Sequence, residues 1–222
     1  MAAPLRQTLR RAAASIWQAI FHHPFLVELG AGTLPREKFV FFIRQDFLYL
    51  QDFARVLCLG GAKAPDLSTM DLFARHARNT VLVEQALHAT FARRLGLSQR
   101  ALERTPVAPV THAYTRHLLS VAELGGLGEL SAAILPCYWI YQEVGIRLQR
   151  SRPRNPLYAR WVHAYAGTEF RLLVQEQFRL LDRLATDATA SQRQRMTEHF
   201  VASSRYEYLF WDQAYHLRNW PA

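Results

Sequence analysis

Cys137 and Tyr141 stand four residues apart in the apolar run Leu135-Pro136-Cys137-Tyr138-Trp139-Ile140-Tyr141. That spacing is close to one helical turn, so the thiol and the phenol share a face. The proline just before the thiol costs a helix interior about 3 kcal/mol, which points to a local reason for keeping it. A second run, Arg205-Tyr206-Glu207-Tyr208-Leu209-Phe210-Trp211-Asp212, sets the carboxylate of Glu207 among aromatic and apolar neighbours. A carboxylic acid in such surroundings holds its proton to higher pH. A thiol and a protonated acid are the equipment of nucleophilic and general acid–base catalysis.

Further along the same line, Asp46, Tyr49 and Phe53 recur at i, i+3 and i+7, an acid and two aromatics on one helical stripe. The pattern alone leaves Asp46 three places: solvent, an ion pair with Arg44 or Arg55, or a buried site. Tyr114, Tyr165 and Phe210 complete a set with the make-up of a small-ligand pocket, apolar walls with a few oriented polar groups. Aromatics at helical spacing also build ordinary cores.

Other chemistries fit less well. Two distant cysteines, Cys58 and Cys137, supply neither a disulfide framework nor a zinc site. No Cys–His protease signature and no glycine-rich phosphate loop is present. Glu84 and His88 have the i, i+4 spacing of iron ligands in helical bundles, and Glu143 extends the set. A diiron oxidase would also need histidines on a late helix, and residues Phe170 to Leu184 contain none. His22 and His23 point about 100° apart on a helix and are read as caps of a helix C-terminus rather than metal or heme ligands. The helix holding Cys137 has only Gly145 where a heme oxygenase would need a glycine-rich distal helix. The expectation is no metal and no cofactor.

The elements that must position these groups are helices. The chain has 222 residues, half of them hydrophobic, enough for one core and one domain over residues 1–222. Its net charge is +9, almost all from scattered arginines, because Lys38 and Lys63 are the only lysines. No nucleic-acid motif accompanies that charge, and the cluster Arg147, Arg150, Arg152 and Arg154 falls at a helix end where cations complement the dipole. No apolar run is long enough to span a bilayer. The basic stretch before Ala19 resembles a transit peptide in composition, but reads more simply as an amphipathic helix with Leu5, Leu9, Ala13, Ile16 and Ala19 on one stripe. A cytoplasmic protein is expected.

In order, helices are expected over about Leu5–Phe21, from Pro35 to Leu59, from an Asp66 or Ser68 cap to Gly96, a short one after Ser98, and from Thr111 to Ala122. Four more follow: Glu129–Arg150, Pro156–Tyr165, Thr168–Ala185 and Ser191–Tyr215. The class is all-α.

The segments His23-Pro24-Phe25, Gln45-Asp46-Phe47-Leu48-Tyr49-Leu50, Ala62-Lys63-Ala64-Pro65, Ala113-Tyr114-Thr115, Leu135-Pro136-Cys137 and Arg205 to Asp212 occur in that order. As an ordered set, spanning about His22 to Tyr215, they resemble the TenA/thiaminase II family, in its cysteine-containing branch. The resemblance implies a heme-oxygenase-like all-α bundle, a homotetramer, and no heme or metal. It implies hydrolysis at the exocyclic methylene of an aminopyrimidine, releasing the amine of aminomethylpyrimidine or the thiazolium of thiamine. It implies Cys137 as nucleophile, Glu207 as acid–base, Asp46 on the pyrimidine amino side, and Tyr49, Tyr114, Tyr141, Tyr165 and Phe210 as lining. Phe47 stands where that family often has tyrosine and is expected as a variation of the pocket wall. Tyr165 or Tyr141 is expected to orient the thiol. A pyrimidine-binding or regulatory protein without turnover is the alternative.

Overall fold

The apolar run around Cys137 forms the inside of a long central helix against which most of the others lie. A computed structural model describes residues 4–87 and 93–221. Among these residues there are twelve helices and no strand: α1 (Leu5–Ala12), α2 (Ala14–Phe21), α3 (Pro24–Ala31), α4 (Arg36–Ala62), α5 (Leu67–Leu87) and α6 (Arg93–Leu95). They continue as α7 (Gln99–Glu103), α8 (Pro109–Leu124), α9 (Leu127–Ser151), α10 (Pro156–Ala166), α11 (Thr168–Thr186) and α12 (Ala190–His216). Helix α9 contacts α12, α10, α11, α8, α3 and α4, and α4 lies along α5 and α8.

Helix α9 carries Pro136 in its interior without ending there. Its last outward-facing turns are polar, but every residue from Glu129 to Pro136 is buried. A proline in such a packed position loses one helical hydrogen bond and is held by its neighbours. Gly126 starts the helix by donating its backbone N–H to Glu129 Oε2 at 2.6 Å. The start is two residues earlier than Glu129 because the Glu129 carboxylate reaches back to this N–H and satisfies it. Helix α8 likewise starts at Pro109, whose ring pre-sets the first helical φ, and not at Thr111. Thr111 lies inside, accepting from Gln213 Nε2 at 2.8 Å. Asp66 caps α5 by accepting from the Thr69 N–H at 2.7 Å. The expected continuation of that helix to Gly96 crosses residues outside the described ones, as does His88, and nothing is described of the Glu84 side chain.

The first helix breaks at Ala13 into α1 and α2. Its buried stripe is Leu5, Leu9, Ala13, Trp17 and Ile20, while Ile16 is half-buried and Ala19 exposed. The i, i+4 steps run straight through the break, so the Trp17 ring takes the inward place. It meets Trp139 edge-on at 5.0 Å and stacks on Phe200 at 6.3 Å. Arg10 lies over Trp17 and Arg147 over Phe21, so part of the arginine excess covers aromatic faces. His22 closes α2 through Nδ1 to the Gln18 carbonyl. His23 instead opens α3, accepting from the Phe25 N–H, so only one of the two histidines caps a C-terminus.

Two glycines set how closely the site-bearing helices approach. A Cβ on Gly60 of α4 would sit 2.5 Å from the Phe73 ring of α5. A Cβ on Gly145 of α9 would sit 2.7 Å from the backbone of Tyr165 and Ala166 in α10. Backbone cannot rotate away as a side chain can. We therefore expect Gly145→Ala to cost about 1–3 kcal/mol of stability and to displace Tyr165, read as a lowered midpoint in urea unfolding.

Candidate active site

Burial decides which acids can hold protons at neutral pH. Asp46 projects from α4, Cys137 and Tyr141 from α9 and Tyr165 from α10, and all four line one cavity of about 270 Å³. Leu50, Phe53, Tyr138, Trp161 and Phe170 supply much of the apolar wall. A cavity at the small end of ligand sites suits one small ring rather than a porphyrin. Asp46 is buried, and its Oδ2 has no partner. Neither expected arginine pairs with it: Arg55 bonds Asp52 at 2.7 Å, and Arg44 leaves its own Nε unpartnered. Burial pushes the Asp46 carboxyl up to about 7.

Glu207 projects from α12 behind this wall, 2% exposed. It accepts a hydrogen bond from the Tyr114 hydroxyl at 2.8 Å. Burial pushes its carboxyl up to about 8; Tyr114 opposes the shift and the nearby charge of Asp46 adds to it. Cys137 is only partly buried because its sulfur meets the cavity. Burial raises the thiol well above its ordinary value, and Glu207 and Asp46 add to the rise while Tyr49 opposes it. The three groups, far apart in sequence, therefore lie within electrostatic reach of one another, with Asp46 and Cys137 lining the cavity and Glu207 outside its lining.

Tyr49 lies between them. Its hydroxyl is close enough to Cys137 and Tyr114 to influence both, yet it has no partner in hydrogen-bond geometry. Of the three it is Tyr49, and not Tyr141 or Tyr165, whose hydroxyl favours the thiolate, from outside hydrogen-bond geometry. Tyr141 and Tyr165 face one another at 4.9 Å and form the opposite wall. Phe210 is not on the wall; it backs Tyr49 at 5.8 Å. Tyr49 and Tyr114 pack at 5.1 Å. Phe47 is no wall variation: it packs with Leu102, Leu48 and Leu97 in a separate cluster. Successive helical residues point about 100° apart, so the neighbour of Asp46 faces elsewhere.

The sequence reading missed a polar cluster at the cavity. His76 and Tyr138 both line it. His76 Nδ1 lies 2.9 Å from the Tyr138 hydroxyl, and its Nε2 lies 2.8 Å from Glu176 Oε2. The signal was available: His76 and Thr80 interrupt the stripe that buries Phe73 and Ala77 on α5, as Gln177 interrupts that of Val174, Phe178 and Leu181 on α11. Glu143, offered as an iron ligand, does not line the cavity and lies within electrostatic reach of Arg10. His23 faces Asp212, Tyr208 and Tyr215 instead of the cavity.

An all-helical frame enclosing one small aromatic cavity, with a thiol and two proton-holding acids, defines a small-molecule site in a heme-oxygenase-like bundle. The profile of the TENA/THI-4/PQQC family matches residues 10–217, and the chain belongs to that family. A Bacillus subtilis relative described as an aminopyrimidine aminohydrolase is 42% identical over 95% of this chain and 89% of its own length. The solved TenA homologue of P. horikoshii superimposes with a TM-score of 0.90 at 32% identity, covering 96% of this chain and 99% of the other. A domain from Shewanella denitrificans with a heme oxygenase-like fold superimposes at 0.75 with 15% identity over 95% of this chain and 92% of its own, which bears on the fold alone.

The raised carboxyls make stability depend on pH. A carboxyl that keeps its proton to higher pH in the folded state than in the unfolded chain binds more protons when folded. Stability then falls as pH rises from about 4 towards 8. Glu207→Gln removes one such group and keeps an oxygen for Tyr114. We expect it to melt higher than the unsubstituted protein at pH 8, by about 2–4 °C for each kcal/mol relieved, with the gap closing near pH 4 in thermal scans.

Proposed function

We propose that the chain hydrolyses aminopyrimidines at the exocyclic methylene carbon, converting aminomethylpyrimidine, and thiamine as a second substrate, to hydroxymethylpyrimidine for thiamine salvage. The observation that carries this reading is the unpartnered Oδ2 of buried Asp46 in the cavity that Cys137 shares. An orphaned buried carboxyl oxygen calls for a donor. An aminopyrimidine brings one on its exocyclic amine, and its flat ring suits the Tyr141, Tyr165 and Trp161 walls.

The ring is a poor electrophile until a nitrogen is protonated. In this reading Glu207 enters the reaction as the neutral acid and gives its proton to a ring nitrogen. The thiol proton passes to the amine, and the sulfur bonds a ring carbon. Its electron pair, returned through the ring, breaks the methylene C–N bond and ammonia leaves. Water then adds to the methylene carbon and gives up a proton. Breaking the C–S bond restores aromaticity, returns the ring proton to Glu207 and frees the sulfur to take a proton in place of the one that left with ammonia. The thiol is neutral in the empty site because burial and two nearby acids disfavour the thiolate; the protonated ring supplies the compensating charge. Tyr49 donates to the sulfur as charge develops, and Phe210 and Tyr114 hold Tyr49 and Glu207 in place.

In this reading one domain over residues 1–222 works in the cytoplasm as a homotetramer, without a bound cofactor. Among the described residues no helix is long and apolar enough to cross a membrane. Exposed Val81, Leu82 and Leu172 on α5 and α11 offer apolar surface for assembly, which sedimentation would read as a fourfold mass.

Purified protein incubated separately with aminomethylpyrimidine and thiamine should release hydroxymethylpyrimidine from at least one. Cys137→Ser and Glu207→Gln should each lose at least about a hundredfold in kcat with unchanged helical circular dichroism. Tight pyrimidine binding without product would instead mark a binding protein, and full activity in either variant would remove the mechanism.

A further inference from the structure

Hydrolysis needs a proton taken away from water as well as one given to the ring, and Glu207 is committed to the ring. The same cavity wall that carries Cys137 holds a second set of groups in line. Tyr138 projects from α9 next to Cys137, buried between Phe53 at 5.8 Å and Phe170 at 6.3 Å. Its hydroxyl meets His76 Nδ1 at 2.9 Å; His76 Nε2 meets Glu176 Oε2 at 2.8 Å. Glu176 is also bonded to Arg75 at 3.2 Å, and its side chain is 24% exposed. A continuous hydrogen-bonded line thus runs from the buried cavity to solvent.

The hydrogens on that line are fixed by chemistry. Glu176 is buried in part, which favours its neutral form, but His76 and Arg75 outweigh this and hold its carboxyl below the usual range. An ionised carboxylate only accepts, so His76 carries its hydrogen on Nε2. Burial keeps the imidazole neutral, so Nδ1 is a bare lone pair. The amide nitrogen of Gln177, 3.3 Å from the same Nδ1, agrees, since it can only donate. Tyr138 must therefore donate its one hydrogen to His76. What its oxygen presents elsewhere is lone pairs. In a cavity lined by Asp46 and a thiol, this hydroxyl is an acceptor fixed in advance.

We propose that Tyr138, His76 and Glu176 form a proton relay that accepts the proton of the water attacking the methylene carbon. The relay rests on the hydrolase reading above. Water's oxygen bonds carbon and its proton goes to Tyr138 Oη. The Tyr138 hydrogen moves to His76 Nδ1, and the Nε2 hydrogen moves to Glu176. The carboxylic acid so formed loses its proton to solvent at the surface. When the C–S bond breaks the line runs back: Tyr138 gives a proton to the freed sulfur of Cys137, His76 Nδ1 returns its hydrogen to Tyr138, and Glu176 passes one from solvent to Nε2. The same arrangement of hydroxyl, imidazole and carboxylate activates nucleophiles elsewhere; here the hydroxyl activates water and stays unalkylated. Tyr138 meets the reacting water, and His76 and Glu176 act through it as positioning residues.

The relay serves only the second half of the reaction, after ammonia has left. That gives it a signature which loss of packing does not share. Ammonia release and hydroxymethylpyrimidine formation should be followed by rapid quench for the unsubstituted protein, Tyr138→Phe and Glu176→Gln. Tyr138→Phe removes one oxygen and keeps the ring contacts. We expect its kcat to fall about a hundredfold with kcat/KM nearly unchanged, so that KM falls as well, because ammonia has already left when the relay acts. A burst of one ammonia per thiol should precede the slow phase, and intact mass should show a pyrimidine adduct on Cys137. Glu176→Gln should show the same burst with a fall of about tenfold. Wild-type kcat in Tyr138→Phe, or slow turnover with no burst and no adduct, would overturn the relay while leaving the hydrolase reading intact. No ammonia from the unsubstituted protein would overturn both.

Discussion

Every property of the site follows from ionisable groups being taken out of water with no cation to meet them. The sequence contains 27 lysines and arginines and a net charge of +9, yet among the described residues none of them lines the cavity. Ion pairing would have held Asp46 and Glu207 as carboxylates. Desolvation does the opposite, favouring the form without charge. Two acids therefore stay near neutrality at physiological pH, and a thiol stays protonated beside them. The arrangement stores protons where an aromatic heterocycle would need them. It also makes the empty site a cost to folding, of the kind that structures tolerate where chemistry requires it.

The helices hold this cost in place through geometry that has little tolerance. Gly60 and Gly145 let α4 approach α5 and α9 approach α10 at distances a methyl group would forbid. The aromatic rings then fill what remains: Phe42 stacks on Trp211 at 4.9 Å, Trp211 meets Tyr141 at 5.1 Å, and Tyr141 meets Tyr165. This lattice ties the site's wall to the core instead of to loops. A pocket built on five helices cannot relax easily to hydrate its acids, so the low polarity that sets the protonation states persists.

The sequence announced most of the frame. Helical periodicity, the start at Pro156 and the cap at Asp66 were readable because they act locally, whereas Pro24 and Pro109 were read as breaks although they open α3 and α8. Boundaries shifted where a cap outside the apolar pattern won, as at Gly126 and Thr189. The inward place of Trp17 over Ile16 was hidden because period alone does not say how a helix is rotated against its neighbours. At the site, Cys137, Glu207 and Asp46 were named from residue type and family resemblance, and the structure adds that they share one electrostatic environment. What sequence could not supply was pairing across helices. Phe47 looked like wall because it adjoins Asp46, and Tyr49 was assigned to lining although it stands outside the residues that line the cavity, within electrostatic reach of the sulfur. His76 and Glu176 lie on helices one hundred residues apart. Only the fold makes them neighbours.

Two acids and one relay divide the proton traffic by direction. Glu207 is sealed behind Tyr114 and 2% exposed, so a proton it lends to a ring is returned by that ring. A closed exchange of this kind cannot take up the proton that water releases while the sulfur is still bonded to the ring. Glu176 is held below the usual carboxylate range and touches solvent, so it can carry a proton outward but is poorly suited to protonate a weak base. The two carboxyls therefore cannot exchange roles: one is tuned by burial to give, the other by Arg75 and His76 to pass on. The cavity, lined by a nucleophile and by an accepting hydroxyl on the next residue of α9, matches a reaction whose two halves need opposite proton movements. That separation, and not the presence of any single catalytic group, is what lets one small dry pocket first expel an amine and then admit water.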